Sequence, residues 1–228
     1  MKIGILQTGH APDSIIHETG DYDALFRRLL GGQDFTFETY NVVDMEFPDS
    51  VNDADGWLIT GSRHGAYEDH PFIPPLEDFI RAAYAADIPQ VGICFGHQII
   101  AQALGGKVEK FKNGWSVGRT EYDFGGEKIA LNAWHQDQVV EKPADAETVG
   151  SSPFCENAAL VYGDRVFTVQ PHPEFGPDFI HGLATTRGPG VVPDDQLKVA
   201  LDNLNRPTDN GVLARRIGAF FKKKDRTA

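Results

Sequence analysis

The stretch from Ile88 to Gly106 constrains the fold more than any other part of the chain. Ile88-Pro89-Gln90-Val91-Gly92-Ile93 is a short apolar run opened by proline, the pattern of a central parallel strand buried on both faces. Gln98-Ile99-Ile100-Ala101-Gln102-Ala103-Leu104 contains no breaker and runs into Gly105-Gly106, a helix stop. Between them, Gly92-Ile93-Cys94-Phe95-Gly96-His97-Gln98 puts a cysteine on the turn from strand to helix, with a glycine two residues to either side. The orphan N–H groups and dipole of a helix N-terminus favour a thiolate over a thiol. Mounting a side chain on such a sharp turn is the logic of the nucleophile elbow, with sulfur in place of oxygen.

Around this turn, strand-like and helix-like runs alternate through the first half: Ile3–Gln7, Asp21–Leu30, Phe35–Val43, Trp57–Thr60, Leu76–Ala86 and Val91–Cys94. Alternation of this kind predicts right-handed βαβ units and a mostly parallel sheet, an α/β architecture. From Lys107 to Val140 the pattern changes to short β-rich pieces (Lys107–Phe111, Ser116–Asp123, Ile129–Asn132), which predict an antiparallel excursion off the main sheet. Leu160–Tyr162 and Val166–Gln170 read as a hairpin across Gly163-Asp164-Arg165, and helices are expected near Asp178–Thr185, Asp194–Leu204 and Gly211–Lys223. At 228 residues the chain suits one domain, 1–228, with a helical C-terminal extension from about residue 190.

A net charge of -12 argues against a nucleic-acid groove, which needs a basic face. The basic cluster Lys222-Lys223-Lys224-Asp225-Arg226 reads as a solvated helix end whose cations complement the dipole. No apolar run reaches membrane-spanning length and the N-terminus reads as a first strand, so the expected location is cytoplasmic. Two cysteines, Cys94 and Cys155, make neither a disulfide framework nor a metal-ligand spacing.

Cysteine catalysis needs a base within reach of sulfur and a third group to orient that base. His172 and Glu174 are the best pair: they follow the strand-like run Val166–Gln170 and are stiffened by Pro171 and Pro173. In an extended His-x-Glu both side chains point to one side, so the carboxylate can orient the imidazole and stabilise its cation. An acyl-transfer site also needs N–H donors for an oxyanion. The Phe95 amide is one candidate, and Gly61 or Ser62 in Thr60-Gly61-Ser62-Arg63-His64-Gly65 supplies the other, unless that segment is a plain turn with Ser62 as a helix cap.

With these residues in place, the chain resembles the class I glutamine amidotransferases from roughly Ile3 to Phe175. The likeness is carried by Gly92-x-Cys94-x-Gly96-x-Gln98, by Gln102-Ala103-Leu104-Gly105-Gly106 and by His172-Pro173-Glu174. The resemblance implies a flavodoxin-like three-layer α/β/α fold, with Cys94 as nucleophile, His172 as base and acid, and Glu174 as its orienting partner. It also implies a glutamine pocket touched by Gln98, Trp115 and His135. The chain departs from the family where a glycine pair and proline usually end the oxyanion strand. Here Gly61-Ser62-Arg63 stands instead, leaving open which amide donates and suggesting that Arg63 or His64 faces the pocket mouth. Within the family, the Thr60–Gly65 and Trp134–Asp137 runs look like stand-alone members related to the amidotransferase domain of GMP synthase, some of which are γ-glutamyl peptidases.

The resemblance therefore implies a glutaminase-type hydrolase that cleaves the γ-amide of glutamine through a cysteinyl thioester and passes ammonia to a separate synthase partner. The alternatives are a γ-glutamyl peptidase acting on small γ-glutamyl compounds and a non-catalytic regulator. Neither metal nor organic cofactor enters the chemistry. Blander readings apply to other residues: Cys155 as an apolar filler, His97 as packing on the far side of its helix, Trp57 and Trp134 as core or pocket wall, and His10, His17 and His70 as solvated.

Overall fold

A computed structural model of the chain describes residues 1–223; Lys224 and Arg226 of the basic cluster lie outside the described residues. In chain order the elements are β1 (Lys2–Leu6), α1 (Asp13–Thr19), α2 (Tyr22–Leu29), β2 (Thr36–Tyr40), β3 (Gly56–Ile59), α3 (Ile73–Ala85), β4 (Gln90–Ile93) and α4 (Phe95–Ala103). There follow β5 (Lys107–Lys110), β6 (Ser116–Phe124), β7 (Glu127–His135), β8 (Asp137–Glu141), β9 (Glu147–Gly150), β10 (Ala159–Tyr162) and β11 (Val166–Val169). Three helices close the described chain: α5 (Pro177–Thr186), α6 (Asp194–Asp202) and α7 (Asn210–Phe221).

The main sheet has the order β2-β1-β3-β4-β11-β10-β9. The first five strands are parallel to their neighbours, and β10 and β9 add an antiparallel edge. Side chains alternate across β3: Trp57 and Ile59 pack with Leu76, Ile80 and Ile99 of α3 and α4, while Leu58 packs with Phe26, Ile217 and Phe221 of α2 and α7. Both faces of the central strands are thereby covered, giving the three-layer α/β/α arrangement expected from the alternating runs. The excursion is also present, as the β6–β7 hairpin and the β5–β8 pair, each separate from the main sheet. The hairpin turns on Gly125 and Gly126, both at positive φ (68° and 96°), which suits a two-residue primed turn.

Four elements differ from the sequence reading. Helix α1 lies where no element was read between Gln7 and Asp21, and β8 and β9 were not expected at all. Helix α3 begins at Ile73, three residues earlier than read, because Pro74 and Pro75 fit a first helical turn.

The cysteine turn depends on close approach between helix and sheet. A Cβ on Gly96 would lie 2.2 Å from Ile59 O, and one on Gly92 would lie 2.5 Å from Gly96 O. Helix α4 can therefore sit against β3 and β4 only with glycine at both positions. It ends as read, with Gly105 at φ 93° and a Gly106 N–H to Ala101 O bond of 2.8 Å, a Schellman-type close. Gly96→Ala is expected to lower stability by about 1–3 kcal/mol through overpacking. The check is a lower urea midpoint at unchanged m-value, and a variant as stable as the parent would mean that α4 can slide off β3 freely.

Candidate active site

Cys94 sits at the carboxyl end of β4, one residue before α4, with φ 52° and ψ −102°. Backbone bonds to three sides hold it there: Cys94 N–H to Val169 O (2.9 Å), Gly96 N–H to Thr60 O (3.0 Å) and Gln98 N–H to Cys94 O (3.0 Å). The neighbouring strands β3 and β11 thus accept from amides on either side of Phe95. As the first residue of α4, Phe95 has an N–H without an intrahelical acceptor.

His172 and Glu174 follow β11, beside the cysteine. The His172 amide donates to Asn132 O of β7 at 2.8 Å, and Asn132 Nδ2 donates to Phe175 O at 2.9 Å, so the hairpin fixes this segment from the opposite side. The segment is a turn, with Phe175 N–H directed at His172 O (3.4 Å), whereas an extended His-x-Glu was expected. Proline on either side of His172 bends the chain, and Glu174 folds back to place Oε1 2.6 Å from His172 Nδ1. Both side chains are almost fully buried. Phe175 lies flat on the imidazole, with centroids 3.9 Å apart and planes 5° apart, and Phe179 backs it at 4.1 Å.

Burial alone would lower the His172 pKa. The Glu174 charge, the Cys94 charge and hydrogen bonds to both side chains outweigh it and raise His172 to about 10. With Nδ1 directed at Glu174, Nε2 is the nitrogen left for sulfur. A line of carboxylate, imidazolium and sulfur therefore runs along the ends of β11 and β4.

Gly61 packs directly on this line: a Cβ there would come 3.0 Å from His172 Cε1 and 3.8 Å from Cys94 Cβ. Its carbonyl is held by Thr8 Oγ1 at 3.0 Å, which ties the end of β1 to that of β3. Ser62 is not a helix cap, since no helix begins between β3 and α3; its Oγ accepts from His64 N–H at 3.2 Å within the loop. Ser62, Arg63, His64, Cys94, Gln98, Trp115, His135 and His172 all line one cleft of about 350 Å³. Gln98 is more constrained than a free ligand contact: its Nε2 donates to Asp137 O (2.9 Å) and Gln170 Oε1 (3.1 Å), so Oε1 is what it can offer a ligand. His135 points Nδ1 at Asp137 O (3.2 Å), which requires the proton on Nδ1 and leaves Nε2, buried without a protein partner, as an acceptor. A larger groove of about 980 Å³ between Phe124, Val149, Phe167 and α7 has no cysteine or histidine in its lining.

Sequence reasoning missed Gln170, a fully buried residue at the end of β11 whose Nε2 lies 3.5 Å from Cys94 Sγ. Its only signal was a polar residue closing an apolar strand just before Pro171. His97 is packing, as read, with Nδ1 on Thr168 Oγ1 at 2.8 Å. Cys155 is a buried filler whose thiol burial pushes up to about 12. His10 and His70 are not simply solvated: His10 lies 2.6 Å from Asp21 and 2.9 Å from Asp44, and His70 lies 2.8 Å from Glu68. These partners come from separate parts of the chain or from a folded loop.

Residues 34–179 match the family glutamine amidotransferase class-I, a span that includes Gly61, Cys94, His172 and Glu174. The chain is 31% identical to a glutamine amidotransferase-like protein of Schizosaccharomyces pombe, across 96% of this chain and 98% of that one. It is 32% identical to γ-glutamyl peptidase 4 of Arabidopsis thaliana across 72% of each chain. To the glutamine-hydrolysing GMP synthase subunit of Methanopyrus kandleri it is 31% identical, across 76% of this chain and 97% of that one. The crystal structure of a glutamine amido transferase from Methylobacillus flagellatus has the same fold, with a TM-score of 0.74, 21% identity, and coverage of 98% of this chain and 94% of that one. The chain belongs to the class I glutamine amidotransferase family.

Two pH effects follow. Because the folded pKa of His172 lies above its ordinary 6.5, its contribution to stability is complete below pH 6.5 and is lost as pH rises towards about 10. Glu174→Gln is expected to bring the His172 titration down, read by NMR of the imidazole, and to flatten the alkaline loss; an unchanged titration would assign the shift to Cys94 alone. Conversely, burial lowers His97 and His135 to about 3, so both resist protonation when folded. Stability should fall as pH drops from about 6.5 towards 3, and His97→Asn should weaken that dependence in urea titrations.

Proposed function

We propose that the chain is a cysteine hydrolase of γ-glutamyl groups that opens the γ-carbonyl through a thioester on Cys94. The observation that carries this reading is the buried line Glu174–His172–Cys94 at the floor of the cleft, in which the imidazole is held by a carboxylate 2.6 Å away. His172 keeps the proton given up by sulfur, and the thiolate attacks the γ-carbonyl carbon. Negative charge then develops on the carbonyl oxygen and is received by the Phe95 N–H together with that of Gly61 or Ser62. When the tetrahedral species collapses, His172 protonates the departing nitrogen; water next attacks the thioester, its proton passing to the same imidazole. Glu174 keeps the ring oriented and its cation stable, while Gln170 and Gln98 hold the sulfur and the cleft wall in register.

Glutamine is the first substrate to consider, with ammonia as the leaving group. The relative from M. kandleri is named as one part of a synthase, which supports delivery of that ammonia to a separate partner. The second reading, a γ-glutamyl peptidase that releases an amine, is supported by the A. thaliana relative. Gln98, Trp115 and His135 contact the glutamyl portion in either case. The same reading takes the chain as one unit, since α7 packs into the core formed by β1, β3 and β4. It also takes the setting as cytoplasmic, in keeping with two free thiols. Among the described residues no helix is long and apolar enough to cross a membrane.

Incubating the isolated protein with glutamine and with γ-glutamyl dipeptides, while following ammonia and free glutamate, tests the proposal. Cys94→Ala should reduce turnover by about three orders of magnitude or more. Glu174→Gln should reduce kcat by roughly a hundredfold. Undiminished hydrolysis by Cys94→Ala would sink the covalent mechanism. Dipeptide cleavage without glutamine hydrolysis would select the peptidase reading.

A further inference from the structure

A second group of chemistry-bearing side chains meets on the loop between β3 and α3. His70 Nε2 lies 2.8 Å from Glu68 Oε2, and His64 Nδ1 lies 3.7 Å from the same oxygen. The two imidazole centroids are only 4.0 Å apart. One ligand atom from each of His64, Glu68 and His70 falls within 4.8 Å of the other two. A tetrahedral zinc ion, with bonds of about 2.0–2.2 Å to nitrogen and oxygen, spaces its ligands by roughly 3.3–3.5 Å. The three groups already bracket that spacing, and small rotamer changes would close them on one ion.

The loop holds these ligands from beneath. His64 N–H bonds Ser62 Oγ (3.2 Å), Glu68 N–H bonds Gly65 O (3.1 Å), His70 N–H bonds Glu68 O (3.1 Å) and Ile73 N–H bonds His70 O (3.1 Å). Tyr67 Oη donates to Asp137 Oδ1 at 3.2 Å, tying the loop to β8. The buried ring of Phe72 lies 5.9 Å from each imidazole and packs on Phe95 at 6.0 Å. His64 and Glu68 line the same cleft as Cys94, and the Glu68 side chain is 47% exposed, so the cluster lies at the rim of the cleft. The planes of the two imidazoles are tilted by 56° to one another. Two imidazoles and a carboxylate form a nitrogen-rich donor set that suits zinc better than calcium or magnesium, which prefer all-oxygen cages.

We propose that His64, Glu68 and His70 form a zinc-type divalent-cation site at the rim of the cleft, with the remaining coordination position open to water or a ligand. This site does not depend on the reaction proposed for Cys94. It is tested by titrating zinc chloride into the full chain carrying Cys94→Ala, which removes the sulfur as a competing ligand, with isothermal calorimetry as the readout. One equivalent of zinc should bind at micromolar or tighter Kd, and cobalt(II) at the same site should give the visible bands of a tetrahedral ion. Adding Glu68→Gln, or His64→Ala with His70→Ala, should weaken binding by more than about tenfold. Circular dichroism verifies folding of each variant; should the double histidine variant unfold, Glu68→Gln, which exchanges one oxygen for an amide, decides the comparison. The proposal is overturned if the Cys94→Ala chain takes up no zinc, or if folded variants bind it as tightly as their parent.

Discussion

A residue with a side chain at φ 52°, ψ −102° has to be held there, because sparsely populated backbone states cost about 1–3 kcal/mol each and relax when unsupported. At Cys94 the support comes from carbonyls of two different strands, Thr60 beyond β3 and Val169 in β11, together with the first turn of α4. The elbow therefore needs β4 to lie between β3 and β11. That arrangement brings together segments more than a hundred residues apart in sequence. It also puts the ends of three strands at one point, where Gly61, Cys94 and His172 meet. The sheet order, the glycines that admit α4, and the convergence of chemistry are one constraint seen at three scales.

The site adds a local cost of its own. Burying an ionised carboxylate is unfavourable unless its lone pairs find donors. At Glu174, Oε1 accepts from His172, while Oε2 is buried without a hydrogen-bond partner. Phe175 and Phe179 close the imidazole away from water on one face. Such a conflict between local rules and global packing is characteristic of positions kept for chemistry. It keeps the imidazole charged over a wide range of pH, so the sulfur faces a cation across neutral conditions.

Much of this was legible in the chain itself, for reasons that can be named. Gly92 and Gly96 announced a sharp turn around Cys94, and the alternation of apolar runs announced parallel strands between helices. Local pattern could not reveal Gln170, whose contact with Cys94 spans 76 positions and exists only because β4 and β11 pair. Helix α1 was hidden because its sequence is mostly polar; Ile15, packed so tightly on Gly182 that a Cβ there would lie 2.3 Å away, supplies its anchorage. The bend at His172–Glu174 was misread because proline stiffness fits an extended run and a turn equally well. The His64–Glu68–His70 cluster escaped notice since ligand spacing in a loop has no period to detect.

The β6–β7 hairpin couples the shape of the cleft to the placement of His172. Its pocket end presents Trp115, just before β6, and Trp134 and His135 at the end of β7, while Asn132 of the same strand anchors both His172 and Phe175. Its outer side is clasped by α6, where Gly118 lies against Ala200. This wall of the cleft and the clamp on His172 are thus one ribbon. Replacing the hairpin as a whole would re-aim His172, whereas single side chains at the ribbon's end and in the loop after β3 can change the cleft and leave the Asn132 anchors in place.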